Sequence, residues 1–455
     1  MDKKIFSIYD IRGLVPDQWN KEDALKLGQA FGAYFQKNGV NTVYVGRDNR
    51  LSGPQIYSAI INGLKKTGCA VVKLGVIITP MTYFSWYHFK APATMMITAS
   101  HNPPQYNGIK SAINKNVIYG KELKKIKNIY DNSNFPTGQG SEKEKNIVAP
   151  YIKNITKNIR LAKPLKVIVD TANGTAGLFA RQVLEKIGCQ TEVLFEKSDG
   201  SFPNHQPYPQ KHQLYQKLKD RLRKGDYNLG ITFDGDGDRL GIYDNNGNFI
   251  ANDIIAAILA KNICQNNSHP VIVLNVSTTL GVLNAIKEMG GRPILWQTGF
   301  PRIIQKMKKE KAIFGGEISG HFFFKDQYYG YDDAFYATLR LLEIISRDQT
   351  IKNLVETIPQ YHQIPEFRLA IPKGSDKYKL AKKMGENIKK SNPDAKILAI
   401  DGIRFSFEDS WGLIRASNTE PLLSGRAEGK TKMALNKIRA IINEQLKKNH
   451  FEKTI

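Results

Sequence analysis

Cysteine is scarce. There are three in 455 residues, Cys69, Cys189 and Cys264, far apart and each in an apolar stretch. An odd, unpaired set excludes a disulfide framework and fits a reducing compartment, so a cytoplasmic protein is expected. Long apolar runs are also missing. No stretch approaches the ~20 residues a membrane-spanning helix requires. The basic opening Met1-Asp2-Lys3-Lys4-Ile5-Phe6 is not followed by the apolar segment of a signal peptide. No membrane partner is expected. Acidic residues are outnumbered, 42 against 66 Lys plus Arg, for a formal net charge of +24. That excess favours anionic partners: nucleic acid, membrane surfaces or phosphorylated small molecules. The lysines run along the whole chain, with no recognisable nucleic-acid module and no basic-aromatic stripe, so no specific nucleic acid is expected.

What is there begins with length, enough for roughly three or four domains. One pattern occurs three times. Val43-Tyr44-Val45 leads into the polar loop Gly46-Arg47-Asp48-Asn49-Arg50, a helix from Pro54 to Lys66, a stop at Gly68 and a strand from Ala70 to Leu74. Val167 to Asp170 leads into Thr171-Ala172-Asn173-Gly174, a helix to Ile187, Gly188 and a strand at Val193-Leu194-Phe195. Val271 to Leu274 leads into Asn275-Val276-Ser277-Thr278, a helix to Met289, Gly290-Gly291 and a strand at Pro293-Ile294-Leu295. Each is a βαβ crossover with glycine where the helix needs a left-handed end. Three such units suggest three related α/β domains. The last ~90 residues alternate strands and two helices in the order of a small α+β domain with an antiparallel sheet. The expected divisions are 1–150, 151–251, 252–365 and 366–455, with an exposed linker at Pro136–Lys145 and a hinge near Pro365.

Four loops carry chemistry. Thr98-Ala99-Ser100-His101-Asn102-Pro103 follows the apolar run Thr94 to Ile97 and presents a Ser-His pair at the end of a buried strand. Lys110, ten residues on, is placed in the same early loop, where it could stabilise phosphate charge or move protons. Asp234-Gly235-Asp236-Gly237-Asp238-Arg239 sits between the strand-like runs Leu229 to Phe233 and Leu240 to Tyr243. Three carboxylates at alternate positions repel one another unless a cation resolves them. An EF-hand fails, because its sixth and twelfth positions would be Arg239 and Asn245, so Mg²⁺ completing its shell on phosphate oxygens suits the site better. Gly315-Gly316-Glu317-Ile318-Ser319-Gly320-His321 offers a carboxylate, a hydroxyl and an imidazole to sugar hydroxyls. Arg415-Ala416-Ser417-Asn418-Thr419-Glu420-Pro421, with Arg426 beyond it, is a phosphate cradle. Together they fit phosphoryl transfer: Ser100 carries the phosphoryl group, Lys110, His101 and Arg239 position it, the Glu317 loop holds a sugar and the Arg415 loop a second phosphate.

These four loops, in this order, resemble the α-D-phosphohexomutase superfamily, in its bacterial phosphomannomutase/phosphoglucomutase branch. Tyr9-Asp10-Ile11-Arg12-Gly13, Gly46-Arg47-Asp48, Asp401-Gly402 and Trp411-Gly412-Leu413 add to the resemblance, which covers essentially the whole chain. It implies four domains around a central cleft and a resting phosphoserine at Ser100. Ser100 is then a metal ligand with Asp234, Asp236 and Asp238, Arg12 joins the catalytic set, and Tyr9 contacts substrate. It implies Mg²⁺, a hexose 1,6-bisphosphate intermediate with glucose 1,6-bisphosphate as activator, and a monomer acting on a phosphorylated hexose. Ile318, where phosphoglucosamine mutases usually carry glutamine, and Thr98, where they tend to have serine, favour mannose and glucose phosphates. Two positions depart from the branch: Ser277 stands for a usual lysine, and Phe300 for a histidine after Thr298-Gly299. Arg302 is expected to compensate. The competing readings are a mutase for another phosphosugar, such as glucosamine phosphate, and a non-catalytic phosphosugar-binding protein.

Overall fold

The structure, a computed structural model, describes residues 1–347, 350–416 and 422–455. The chain divides into two compact units, Met1–Asn252 with Ser319–Asn353, and Asp253–Ile318 with Leu354–Ile455. No helix among the described residues is long and apolar enough to cross a membrane.

The first unit holds two mixed sheets. The larger runs Ile11–Leu14, Tyr106–Ile113, Ala93–Ile97, Thr42–Arg47, Ala70–Val76, Glu142–Glu144, with Asn116–Val117 beside Tyr106–Ile113. Thr42–Arg47 pairs in parallel with both neighbours, whereas Tyr106–Ile113 is antiparallel to all three of its own. Antiparallel pairing follows from the short return through the Ser100 loop, too short for a crossover. The second sheet runs Phe249–Ile250, Leu240–Tyr243, Leu229–Phe233, Lys166–Asp170, Gln190–Leu194. The helix Lys21–Lys37 starts at a reciprocal cap between Asn20 and Asp23 and buries its apolar stripe against Gly53–Lys66.

In the second unit Val271–Asn275 lies between Arg292–Trp296 and Phe314–Gly316, all parallel. The C-terminal sheet is antiparallel throughout: His362–Ala370, Leu422–Gly429, Ser410–Ala416, Ile403–Ser406, Lys396–Leu398. Asp376 caps the helix Lys377–Ser391 and Thr431 caps Lys432–Lys448. Both helices bury leucine, isoleucine and methionine in one core with the sheet.

The repeat is present, and its three stop glycines, Gly68, Gly188 and Gly290, have φ of 90°, 95° and 82°. Four local expectations change. The second repeat's helix is a 3-10 turn, Thr175–Leu178, and then a short α-helix, Ala180–Lys186. The opening run Ser7 to Gly13, which reads in sequence as a strand running into a loop, is instead a loop followed by the strand Ile11–Leu14. Pro136–Lys145 is not a free linker: Gly138 and Gly140 donate to the Lys66 and Lys65 carbonyls, and Glu142–Glu144 extends the sheet edge beside Ala70–Val76. Pro365 lies inside the strand His362–Ala370, at a register shift between Ile364 and Phe367 that accommodates a residue without an N–H.

Within the first unit, Asp333 anchors the segment after Ser319. It caps Ala334–Ile345 through the Tyr336 N–H at 2.9 Å and accepts from the Tyr151 hydroxyl at 2.9 Å and the Tyr328 hydroxyl at 2.8 Å. Burial pushes this carboxyl up to about 6. A carboxylate whose folded pKa is raised favours the fold when protonated, and that contribution is lost as pH rises through the folded value. Asp333→Asn keeps the cap and removes the titration. Its melting temperature is therefore expected to gain on the wild type as pH rises from about 4 to about 7, measured by thermal denaturation across that range.

Candidate active site

Ser100 stands at the end of the strand Ala93–Ile97 with φ of 52°, a left-handed conformation that a serine adopts only when its surroundings hold it. They do. Its N–H donates to Thr98 Oγ1 at 2.9 Å, and Thr98 Oγ1 donates to Asp48 Oδ2 at 2.7 Å. Arg50, fully buried, pairs with Asp48 through Nε at 3.1 Å. Its Nη1 donates to the carbonyls of Pro103 and Tyr106, and its Nη2 to those of Ser100 and Asn102, all within 2.8 Å. Arg12 ties the same loop from the side, through the Ala99 carbonyl at 3.2 Å and Asn102 Oδ1 at 2.7 Å, while pairing with Asp10 at 2.5 Å.

The Ser100 hydroxyl is buried, 3.1 Å from His101 Nδ1, and donates to Asp234 Oδ2 at 2.6 Å. Burial, then the charges of Arg239 and Arg12, hold the His101 imidazole well below its ordinary pKa, so it is neutral. The aspartates lie in the turn between Leu229–Phe233 and Leu240–Tyr243. Gly235 is required there, because a Cβ at that position would lie 2.4 Å from the Ser100 carbonyl oxygen. Asp234, Asp236 and Asp238 are fully buried, with carboxylate oxygens within 4.8 Å of one another. Burial and the two neighbouring carboxylates push Asp234 well above the usual range.

Lys110 meets this charge directly, at 2.6 Å from Asp236 Oδ2 and 2.5 Å from Asp238 Oδ2. It is not in the early loop. It sits inside the strand Tyr106–Ile113, opposite Met96, with its ammonium buried and held protonated by the aspartates despite that burial. Thr79 Oγ1 donates to Asp236 Oδ2 at 2.5 Å. Asp236 Oδ1 has no hydrogen-bond partner among the described residues, and Asp238 Oδ1 makes none but faces His321 Nε2 at 3.5 Å. Clustered buried carboxylates with oxygens left open are the donor set of a hard cation, so the residues fit Mg²⁺.

Arg239 Nε lies 3.8 Å from Asp234 Oδ2 and donates to His321 Nε2 at 3.3 Å, while His321 Nδ1 faces Ser319 Oγ at 3.0 Å. Tyr9 is half-buried in the loop before Ile11–Leu14. In the second unit Glu317 is buried and accepts the Gly299 N–H at 2.7 Å. Arg415 pairs with Asp401 at 3.2 Å. Arg426 pairs with Asp253 at 3.2 Å, touches the Ser277 carbonyl at 3.2 Å and donates to Gln363 at 2.8 Å. Its charge is thus already matched by a carboxylate. Ser277 and Phe300 are buried and Arg302 is half-buried. Ser417, Asn418 and Thr419 lie outside the described residues.

Several residues at this site carried no sequence signal of their own. Asp48 stood out only through the polar loop and the resemblance of Gly46-Arg47-Asp48, and Arg50 only as part of that loop; neither showed the buried ion pair they form. Gln206 donates through Nε2 to the His101 carbonyl at 2.5 Å, and the Tyr208 ring lies 4.3 Å from the His101 ring. Their partner is over a hundred residues away in the chain, a distance that periodicity does not bridge.

Known proteins bear on this geometry. Four models of phosphoglucomutase/phosphomannomutase domains match in order: alpha/beta/alpha domain I at residues 3–137, domain II at 149–247, domain III at 251–361 and the C-terminal domain at 375–445. The chain is 37% identical over 445 residues to a phosphomannomutase/phosphoglucomutase of Pseudomonas syringae pv. tomato, covering 98% of this chain and 95% of that one. It is 36% identical over 438 residues to a phosphoglucomutase of Neisseria gonorrhoeae, covering 96% and 95%. A crystal structure of a phosphoglucomutase/phosphomannomutase family protein from Burkholderia thailandensis superposes with a TM-score of 0.93 at 34% identity, covering 99% and 98%. With all four domains matched and full-length relatives above 30% identity, the chain belongs to the phosphoglucomutase/phosphomannomutase family.

Proposed function

We propose that the protein interconverts hexose 1-phosphate and hexose 6-phosphate, with mannose and glucose as the sugars, through a phosphoserine at Ser100 and a hexose 1,6-bisphosphate. The observation that carries this reading is the Ser100 hydroxyl, fixed between His101 Nδ1 and Asp234 Oδ2 at the head of the aspartate cluster. A binding protein has no need of a buried serine held against a neutral imidazole and three carboxylates.

In the first half-reaction the P–O bond to Ser100 Oγ breaks as one to a sugar hydroxyl forms, and that hydroxyl's proton passes to the serine oxygen. In the second the P–O bond at the sugar's other phosphorylated position breaks as Ser100 Oγ takes up that phosphoryl group, and the serine proton passes to the freed sugar oxygen. Asp234, Asp236, Asp238 and the Ser100 oxygen would hold Mg²⁺, which supplies neutralising charge for the phosphoryl oxygens. Lys110 holds Asp236 and Asp238 in place, and its charge favours the ionised form of Asp238. Arg12 and Arg239 bring guanidinium charge to the Ser100 loop and to Asp234. His101, neutral, can exchange a proton with Ser100 Oγ. Glu317, Ser319, His321 and Tyr9 would take sugar hydroxyls. Arg415 with Ser417, Asn418 and Thr419 would take the non-reacting phosphate. Arg426, which is paired with Asp253, would add a second guanidinium for that phosphate. The segments 1–150, 151–251, 252–365 and 366–455 would each supply one loop in a monomeric, cytoplasmic enzyme activated by glucose 1,6-bisphosphate.

A coupled assay with mannose 1-phosphate and glucose 1-phosphate, Mg²⁺ and catalytic glucose 1,6-bisphosphate tests this. Turnover of both sugars is expected. Chelation should remove at least about 100-fold of it and added Mg²⁺ restore it. Absence of turnover in a protein phosphorylated at Ser100 would replace these sugars with another phosphosugar, glucosamine phosphate first.

A further inference from the structure

The segment Pro203-Asn204-His205-Gln206-Pro207-Tyr208-Pro209-Gln210 belongs to no strand or helix, yet it is tightly held. Its three prolines limit the backbone freedom lost on ordering, and Pro207 and Pro209 are buried. One end is latched to the second sheet. His205 Nε2 lies 3.2 Å from Asp170 at the end of Lys166–Asp170, with its ring edge-on to Tyr215 at 4.7 Å. Asn204 Nδ2 donates to Asn173 Oδ1 at 2.8 Å. The middle lies where the serine and aspartate loops meet: a Cβ on Gly235 would find the Ser100 carbonyl oxygen at 2.4 Å and Pro207 Cγ at 3.3 Å. From there Gln206 reaches the His101 carbonyl and the Tyr208 ring packs on the imidazole at 43°. Lys211 Nζ lies 5.3 Å from the centre of the same tyrosine ring.

We propose that this strap is the element that orients His101 toward Ser100 and keeps water from that side of the serine, with Tyr208 and Gln206 as positioning residues. An imidazole turns freely about its last side-chain torsion unless something packs on it. Here Gln206 fixes the backbone that carries the ring, and Tyr208 fixes the ring with Nδ1 toward Ser100 Oγ. The same tyrosine covers the approach by which water would reach the serine past His101. Water there would compete with a sugar hydroxyl for a phosphoryl group.

The inference rests on the phosphoserine reading for its kinetic part, so two readouts are paired. In Tyr208→Ala, kcat is expected to fall about tenfold with KM within about twofold, because orientation and not sugar binding is lost. The phosphate on Ser100, followed by intact mass, should hydrolyse several-fold faster. Tyr208→Phe keeps the ring and should recover both. Independently of phosphorylation, the rate at which diethyl pyrocarbonate acylates His101, followed by peptide mass spectrometry, should rise several-fold in Tyr208→Ala and return to the wild-type rate in Tyr208→Phe. Equal acylation rates in wild type and Tyr208→Ala overturn the inference. So does a kcat loss that Tyr208→Phe does not recover. A wild-type protein that never carries phosphate at Ser100 sinks the phosphoserine reading, while the acylation rates still decide the strap.

Discussion

Ser100→Ala is expected to lower turnover by at least about 10³-fold and to leave the protein without a covalently bound phosphoryl group by intact mass. No neighbour can take the role. The serine oxygen, and not the imidazole, is the nucleophile placed at the aspartate cluster: Ser100 Oγ lies 2.6 Å from Asp234 Oδ2, His101 Nδ1 is 3.1 Å from the same serine oxygen, and Asp236 and Asp238 are paired with Lys110. The variant should still fold. The alanine keeps its N–H on Thr98 and its carbonyl on Arg50. What it loses is the donor to Asp234 Oδ2, a buried acceptor left unmet at a cost of about 1–3 kcal/mol. The backbone offers a second check. At φ of 52° alanine is strained as serine is, whereas glycine is not. Ser100→Gly should therefore be as inactive as Ser100→Ala and more stable by about 1 kcal/mol in thermal melts. Residual turnover in both variants would move the phosphoryl acceptor elsewhere.

What the sequence made legible has a common physical origin. The strands Leu229–Phe233 and Leu240–Tyr243 fall at the residues expected, and the three glycine stops are left-handed, because short apolar runs and helix ends are decided locally. The aspartate cluster was legible for the same reason: alternate carboxylates in one turn converge whatever surrounds them. Lys110 shows the limit. Its strand is a turn away from Ser100 in sequence, but its partners, Asp236 and Asp238, come from the other sheet of the first unit. A lone lysine between asparagine, glycine and serine gives no sign of that. Pro136–Lys145 and Pro365 misled because glycine and proline mark hinges and sheet edges alike, and pairing decides between them. Tyr208 and Gln206 had no local signal at all.

Arg50 was legible as a polar residue after a strand and is in fact the clasp of the serine loop. A guanidinium has five N–H donors in a fixed fork. Here Nε serves Asp48 and the two terminal nitrogens serve four carbonyls, so all five are engaged, with Phe202 beneath the plane at 5.3 Å. Those carbonyls belong to residues 100, 102, 103 and 106, which is the whole turn that presents Ser100 and His101. Lysine has three donors on one atom and cannot span that turn. Arg50→Lys is therefore expected to fold, to lose at least two of the carbonyl bonds, and to lower kcat about 100-fold through misplacement of Ser100, with KM little changed. Arg50→Met should cost about 3–5 kcal/mol of stability, because it leaves Asp48 buried without a counter-charge. Burial already pushes Asp48 above its usual range, with Arg50 the main force opposing it. Once the guanidinium is gone, Asp48 rises further and favours the fold only when protonated. The stability gap between Arg50→Met and wild type should then widen as pH is raised from about 5 to about 8, in urea titrations at each pH. A gap that stays constant with pH would mean that Asp48 is neutral in the wild type as well, and that Arg50 holds the loop by its carbonyl bonds alone.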